Sequence, residues 1–156
     1  MDEFRLVIEK LGACGKTLAT AESCTGGLLG KLLTDVPGAS KVYLGGVISY
    51  AYELKEKLLG VDAELLKRKG AVCEEVALQM AQGTRNRLCA DFALATTGNA
   101  GPSADPLNPN VGEIFVALSW EKRTVCRCLK LQGNREENRL AACSAAAELL
   151  LEALRG

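Results

Sequence analysis

The segment 20–27, "TAESCTGG", sets a serine beside a cysteine, between an apolar stretch and two glycines. A small hydroxyl or thiol at a strand-to-helix junction is placed to act as a nucleophile, and equally placed to cap the following helix. The chain contains no histidine, which removes the Ser-His-Asp and Cys-His arrangements. A nucleophilic Ser23 therefore needs a lysine, a carboxylate, a tyrosine or the amino terminus as its base. Lysine serves only where burial or a cationic neighbour lowers its pKa. Cys24 is the rival nucleophile, without an imidazole or a nearby cation in sequence to activate it.

The stretch after Tyr50 offers a lysine. Projected at about 100° per residue, Ala51, Leu54, Leu58 and Leu59 share one helical arc with Lys55 inside it, while Glu53, Glu56 and Lys57 lie opposite. Lys55 is thus a charge on an apolar face, either buried there or snorkelling along the edge to water. Tyr50, one turn earlier, either reaches the same pocket or is a rim tyrosine. The free N–H groups of Cys24, Thr25, Gly26 and Gly27, at a helix start, are candidate oxyanion donors. Near the C-terminus, "GNREENR" has a capping-box pattern in Asn134 and Glu137. Arg135 and Arg139 share a face at that helix start, either solvated or turned to a phosphate. "GACGKT" at 12–17 lacks the spacing of a phosphate loop and precedes a strand, so it is set aside.

The elements that must position these residues alternate along the chain. The pattern predicts helices over 2–13, 25–33, 51–59, 62–69, 74–89 and 134–154. Strands are expected at 17–21, in "KVYLGGVISY", in "DFALATTG", and as a hairpin of "VGEIFVALSW" with "RTVCRCLKL". That order implies a single α/β domain spanning 1–156, a three-layer α/β/α sandwich around one mixed β-sheet. The 22–27 junction and the long loop 98–111 both follow strand C-termini, where ligands gather in open α/β sheets.

Composition narrows the partners. Lysine plus arginine and aspartate plus glutamate number 19 each, so nucleic-acid binding has no electrostatic support. No apolar run approaches the roughly 18 residues of a membrane span. The charged start "MDEFRLVIEK" is neither a signal peptide nor an anchor, and a cytoplasmic location is expected. The seven cysteines show no CxxC pair. They read as reduced, mostly buried thiols, with Cys126 and Cys128 on the core side of one strand and no metal site.

Five blocks, "ATAESCTGGLLGKLLTDVPGAS", "YLGGVISYAYELKEKLLGV", "GAVCEEVALQMAQGTRNRLCADFALATTGNAGP", "VGEIFVAL" and "GNREENR", together resemble the C-terminal domain of the CinA competence/damage-inducible proteins. The resemblance covers nearly the whole chain and implies a nicotinamide-nucleotide amidohydrolase acting on nicotinamide mononucleotide, in the form that lacks the separate N-terminal domain. It implies catalysis by Ser23, Lys55 and Tyr50, with no cofactor and no metal. Substrate contacts fall on the turn Cys24, Thr25, Gly26 and Gly27, on Thr97 and Gly98, and on Arg139 with Arg135. Arg139, beside the Thr97–Gly98 loop, is expected to meet the 5′-phosphate, and a homo-oligomer, a dimer, is expected. The chain departs from the family in having Asn99 for isoleucine, Tyr52 for asparagine and Cys73 for serine. "PSADPLNPN" replaces a glycine-rich loop bearing a lysine. A catalytically silent nucleotide- or partner-binding module of the same fold is the alternative.

Overall fold

Burial at a helical period explains the first element: Phe4, Val7, Ile8 and Leu11 form the inner stripe of α1 (Asp2–Cys14). The computed structural model describes residues 2–156. After α1 come β1 (Leu18–Glu22), α2 (Leu28–Thr34), β2 (Tyr43–Ile48), α3 (Tyr52–Leu59), α4 (Ala63–Lys69) and α5 (Glu74–Leu88). The chain closes with β3 (Phe92–Gly98), β4 (Glu113–Trp120), β5 (Arg123–Lys130) and α6 (Arg135–Arg155).

The sheet has the order β2-β1-β3-β4-β5. β1 runs parallel to β2 and β3, while β4 is antiparallel to both β3 and β5. A mixed sheet between two helical layers is therefore observed, as the alternation of elements predicts. One layer buries α1, α2 and α6 against Leu94, Ile114, Val116 and Leu118; the other buries α4 and α5 against Ala21, Ala95 and Ala117. Large sheet residues thus meet the alanines of α6, and small ones meet Val76 and Met80 of α5, which keeps both layers dense. No helix among the described residues is long and apolar enough to cross a membrane.

Three expectations need correction. Helix α2 begins at Leu28, not Thr25, because 23–27 is a turn whose Gly26 and Gly27 take left-handed φ of 55° and 106°. Leu58 faces solvent at 42% exposure, so the inner face of α3 narrows to Leu59 and Lys55. The thiols are mostly not buried: only Cys24 and Cys143 are, and Cys128 is exposed because β5 is an edge strand with a partner on one side.

Helix α5 crosses the end of α3 so closely that a Cβ on Gly83 would lie 1.8 Å from the Leu59 carbonyl oxygen. Gly83→Ala should therefore lower stability by about 1–3 kcal/mol, although alanine in a helix interior otherwise gains about 1 kcal/mol over glycine. Urea unfolding reads the sign; a stabilised variant would mean that the two helices move apart freely.

Candidate active site

The strand order reverses at β1, and the three parallel strands end side by side there: Glu22 is level with Ile48 on β2 and with Thr96 on β3. The chain leaving β1 turns at once, and Ser23 N–H donates to the Thr96 carbonyl. The turn is held from inside by Glu22, which is 3% exposed. Its Oε1 accepts from Thr25 Oγ1 at 2.6 Å, Gly27 N at 3.1 Å and Leu29 N at 2.8 Å, and its Oε2 from Gly30 N at 3.0 Å. A carboxylate on the free N–H groups of a helix start is strongly favoured by charge and dipole together. Glu22, not Ser23, therefore caps α2. Thr25 spends its proton on Glu22, so the Thr96 hydroxyl, 2.8 Å away, donates to Thr25.

With the capping role taken, Ser23 Oγ is left to Lys55. The lysine side chain is fully buried, so the snorkelling alternative is overturned. Its Nζ lies 2.8 Å from Ser23 Oγ, 2.6 Å from the Ser49 carbonyl and 3.0 Å from the Tyr50 carbonyl. Those two carbonyls sit just beyond the end of β2, where no further ladder partner claims them. Burial lowers the Lys55 pKa to about 8, against the opposing fields of Cys24 and Asp105. A neutral amine has two N–H donors and one lone pair. Charged, Nζ donates to all three oxygens; once it has lost a proton and the two carbonyls hold its remaining N–H groups, its lone pair is free to face Ser23 Oγ. Burial pushes the neighbouring Cys24 thiol up to about 12, which leaves it protonated at neutral pH.

Ser23 opens into a cleft of about 200 Å³ lined also by Tyr50, Tyr52, Thr97, Gly98, Asn99 and Arg135, with residues 103–105 as its far wall. The structure gathers most of the expected residues here and redistributes their tasks. Tyr50 is 59% exposed. Its hydroxyl, 3.3 Å from an Arg135 Nη, faces the cleft mouth, and only its backbone carbonyl touches Lys55. Thr97 is buried and donates to the Ala71 carbonyl at 2.8 Å, so it joins the cleft wall to the segment before α5. Gly26 N–H is bonded to the Ser23 carbonyl and Gly27 N–H to Glu22, which leaves Cys24 and Thr25 as the uncommitted N–H donors of the turn.

Arg139 does not line the cleft that Thr97 and Gly98 line. Its Nε donates to the Cys24 carbonyl at 3.1 Å and an Nη to the Thr25 carbonyl at 2.8 Å, so it clamps the turn from behind. The arginine on the cleft is Arg135, held by the Gly101 carbonyl at 2.8 Å. Sequence reasoning assigned no part to Glu22 or Asp105. Glu22 carried a signal, an acid closing an apolar strand just before a helix start; Asp105, in an irregular loop, carried none. No group of three or more His, Cys, Asp or Glu placed to hold a metal occurs among the described residues.

A mixed sheet with three parallel strands, and a buried serine–lysine contact just beyond their C-terminal ends, defines the α/β domain. The chain belongs to the CinA C-terminal domain family, whose profile it matches over residues 3–154. A CinA-like protein of Geotalea daltonii is 46% identical over 132 residues, covering 85% of this chain and 32% of the relative. The chain spans about a third of the length of the curated relatives it matches. A competence/damage inducible protein from Agrobacterium tumefaciens superposes with a TM-score of 0.93 at 37% identity, covering 99% of this chain and 94% of that one. A CinA superfamily protein from Klebsiella pneumoniae gives 0.94 at 30% identity, over 99% of this chain and 96% of that one.

The lowered Lys55 pKa has a consequence for stability that needs no substrate. Between about 8 and the ordinary lysine value of 10.5 the unfolded chain holds the proton that the folded chain has lost. Stability therefore rises with pH through that window. Relative to Lys55→Met, which lacks the titrating group, the wild type should gain roughly 2 kcal/mol between about pH 7 and about pH 10. Urea unfolding of both proteins at the two pH values checks this; a constant difference would mean that Lys55 titrates as a free lysine.

Proposed function

We propose that the chain is an amidase that releases ammonia from nicotinamide mononucleotide and forms the corresponding acid. The observation that carries the reading is the fully buried Lys55, whose Nζ is held by two carbonyls 2.8 Å from Ser23 Oγ and whose pKa burial lowers to about 8. Ser23 Oγ attacks the carboxamide carbon while Lys55 Nζ takes its proton. The carbonyl oxygen becomes an oxyanion facing the Cys24 and Thr25 N–H groups. Lys55 then returns the proton to the departing nitrogen, the C–N bond breaks and ammonia leaves an acyl-serine. Water, deprotonated by the same amine, attacks the ester, and the acid leaves as Ser23 regains its proton. Tyr50, on Arg135 at the mouth, orders the substrate's outer part and stands in line for a proton on its way out.

The family assignment supports the substrate only through the resemblance stated for the sequence, whereas the serine–lysine pair supports the chemistry directly. Ammonia release from nicotinamide mononucleotide is the first measurement. Ser23→Ala should leave a folded protein with turnover lowered at least about a hundredfold, and Cys24→Ala should keep most of the activity. The reverse pattern would assign the nucleophile to the thiol.

The two arginines separate by kinetics. Arg135→Ala should raise KM for the nucleotide far more than for its dephosphorylated nucleoside, since Arg135 is the cation on the cleft. Arg139→Ala should lower kcat for both substrates alike, because it loosens the turn that carries the nucleophile. A phosphate-dependent KM effect confined to Arg139 would reverse these roles.

A further inference from the structure

Tyr52, Asn99 and the loop after β3 meet in space. The loop after β3 is tied at both ends by buried asparagines. Asn99 Oδ1 accepts from Asp105 N at 2.8 Å, and its Nδ2 donates to the carbonyls of Asn108 at 2.9 Å and Asn110 at 3.0 Å. Asn108 Nδ2 in turn donates to the Val72 carbonyl at 2.9 Å and to Glu113 Oε1 at 2.8 Å. So fixed, the strap turns the Asp105 side chain to the cleft, where its carboxylate accepts from the Tyr52 hydroxyl, from Leu107 N at 2.9 Å and from Ala71 N at 3.4 Å. Tyr52, Asn99 and the loop therefore act as one unit that orients a carboxylate in the cleft that Ser23 also lines.

That charge is felt at the reactive centre, since Asp105 works against burial in setting the Lys55 pKa. An amide whose carbonyl carbon rests on Ser23 Oγ must extend its bearing group across the cleft toward the strap, with Arg135 at the mouth for a more distant anion. A neutral ring there gains nothing from Asp105, whereas a ring with a positive charge gains an ion pair in a partly desolvated site. We infer that Asp105, positioned by Tyr52 and Asn99, is a specificity-determining residue that selects carboxamides borne on a cationic aromatic ring over the same carboxamide on a neutral ring. The inference rests on the amidase reading and adds the ring charge as the quantity selected.

The test uses nicotinamide mononucleotide and its reduced dihydro form, which share phosphate, ribose and carboxamide and differ in ring charge. Binding is measured by calorimetry to Ser23→Ala, so that neither ligand is turned over. The oxidised ligand should bind about tenfold more tightly than the reduced one, the scale of a charge pair near a protein surface. In Ser23→Ala/Asp105→Asn, which removes the charge while the single amide oxygen can still accept from Leu107 N, that preference should vanish with affinity for the reduced form unchanged. Ser23→Ala/Tyr52→Phe keeps the charge but releases the carboxylate from its hydroxyl partner, and should weaken the preference without abolishing it, which separates the charge from its positioning. An unchanged preference in the Asp105→Asn protein, an equal loss for both ligands, or binding of neither overturns the inference. Failure of the wild type to release ammonia would instead overturn the amidase reading, so the two outcomes are distinguishable.

Discussion

A primary amine sealed from water has to find acceptors for its hydrogens, and the position of Lys55 follows from that demand. The acceptors come from the peptide groups just past β2 and from the residue just past β1, so one nitrogen joins α3 to two strand ends. Displacing the helix by a fraction of its pitch would strand both the amine and two carbonyls, each at a cost comparable to a lost buried hydrogen bond. The register of α3 on the sheet and the reactivity of the amine are consequences of the same contacts.

Glu22 and Arg139 do for the nucleophile turn what those carbonyls do for the lysine. The carboxylate gathers the N–H groups of 27, 29 and 30 and the guanidinium gathers the carbonyls of 24 and 25, so the turn is gripped from two sides by opposite charges. A turn with two left-handed glycines would otherwise be among the softer parts of the chain. Electrostatic grip replaces the side-chain packing that glycine does not provide.

Much of this was legible in the sequence, and the failures are those of local patterns. Periodicity located the α-helices and strands and singled out Lys55, because a helix face and a strand end are local properties of a few consecutive residues; the short 3-10 turn at Ala39–Lys41 carried no such signal. Arg135 and Arg139 were both expected on the substrate side, and of the two Arg135 lines the cleft. Helical spacing says that they share a face, but which of the two reaches the cleft depends on how α6 lies across β1 and β3, and no local pattern encodes that angle. Leu58 misled in the opposite sense, since an apolar residue on an apolar arc can still overhang the edge of its helix and meet solvent. Cys128 was misplaced because alternation fixes the face of a strand and leaves open whether that face is covered.

The reactive pair is assembled from residues that lie far apart along the polypeptide, and the central strand β1 finds one neighbour about twenty-five residues downstream and the other more than seventy. Such long closures come late in folding. Ser23 and Lys55 both precede β3, which completes the walls around them, and the Arg139 clamp follows β3 in turn. In an unfolded chain the lysine would be a solvated amine with the ordinary affinity for its proton. The closeness and burial of the two groups therefore exist only in the completed fold.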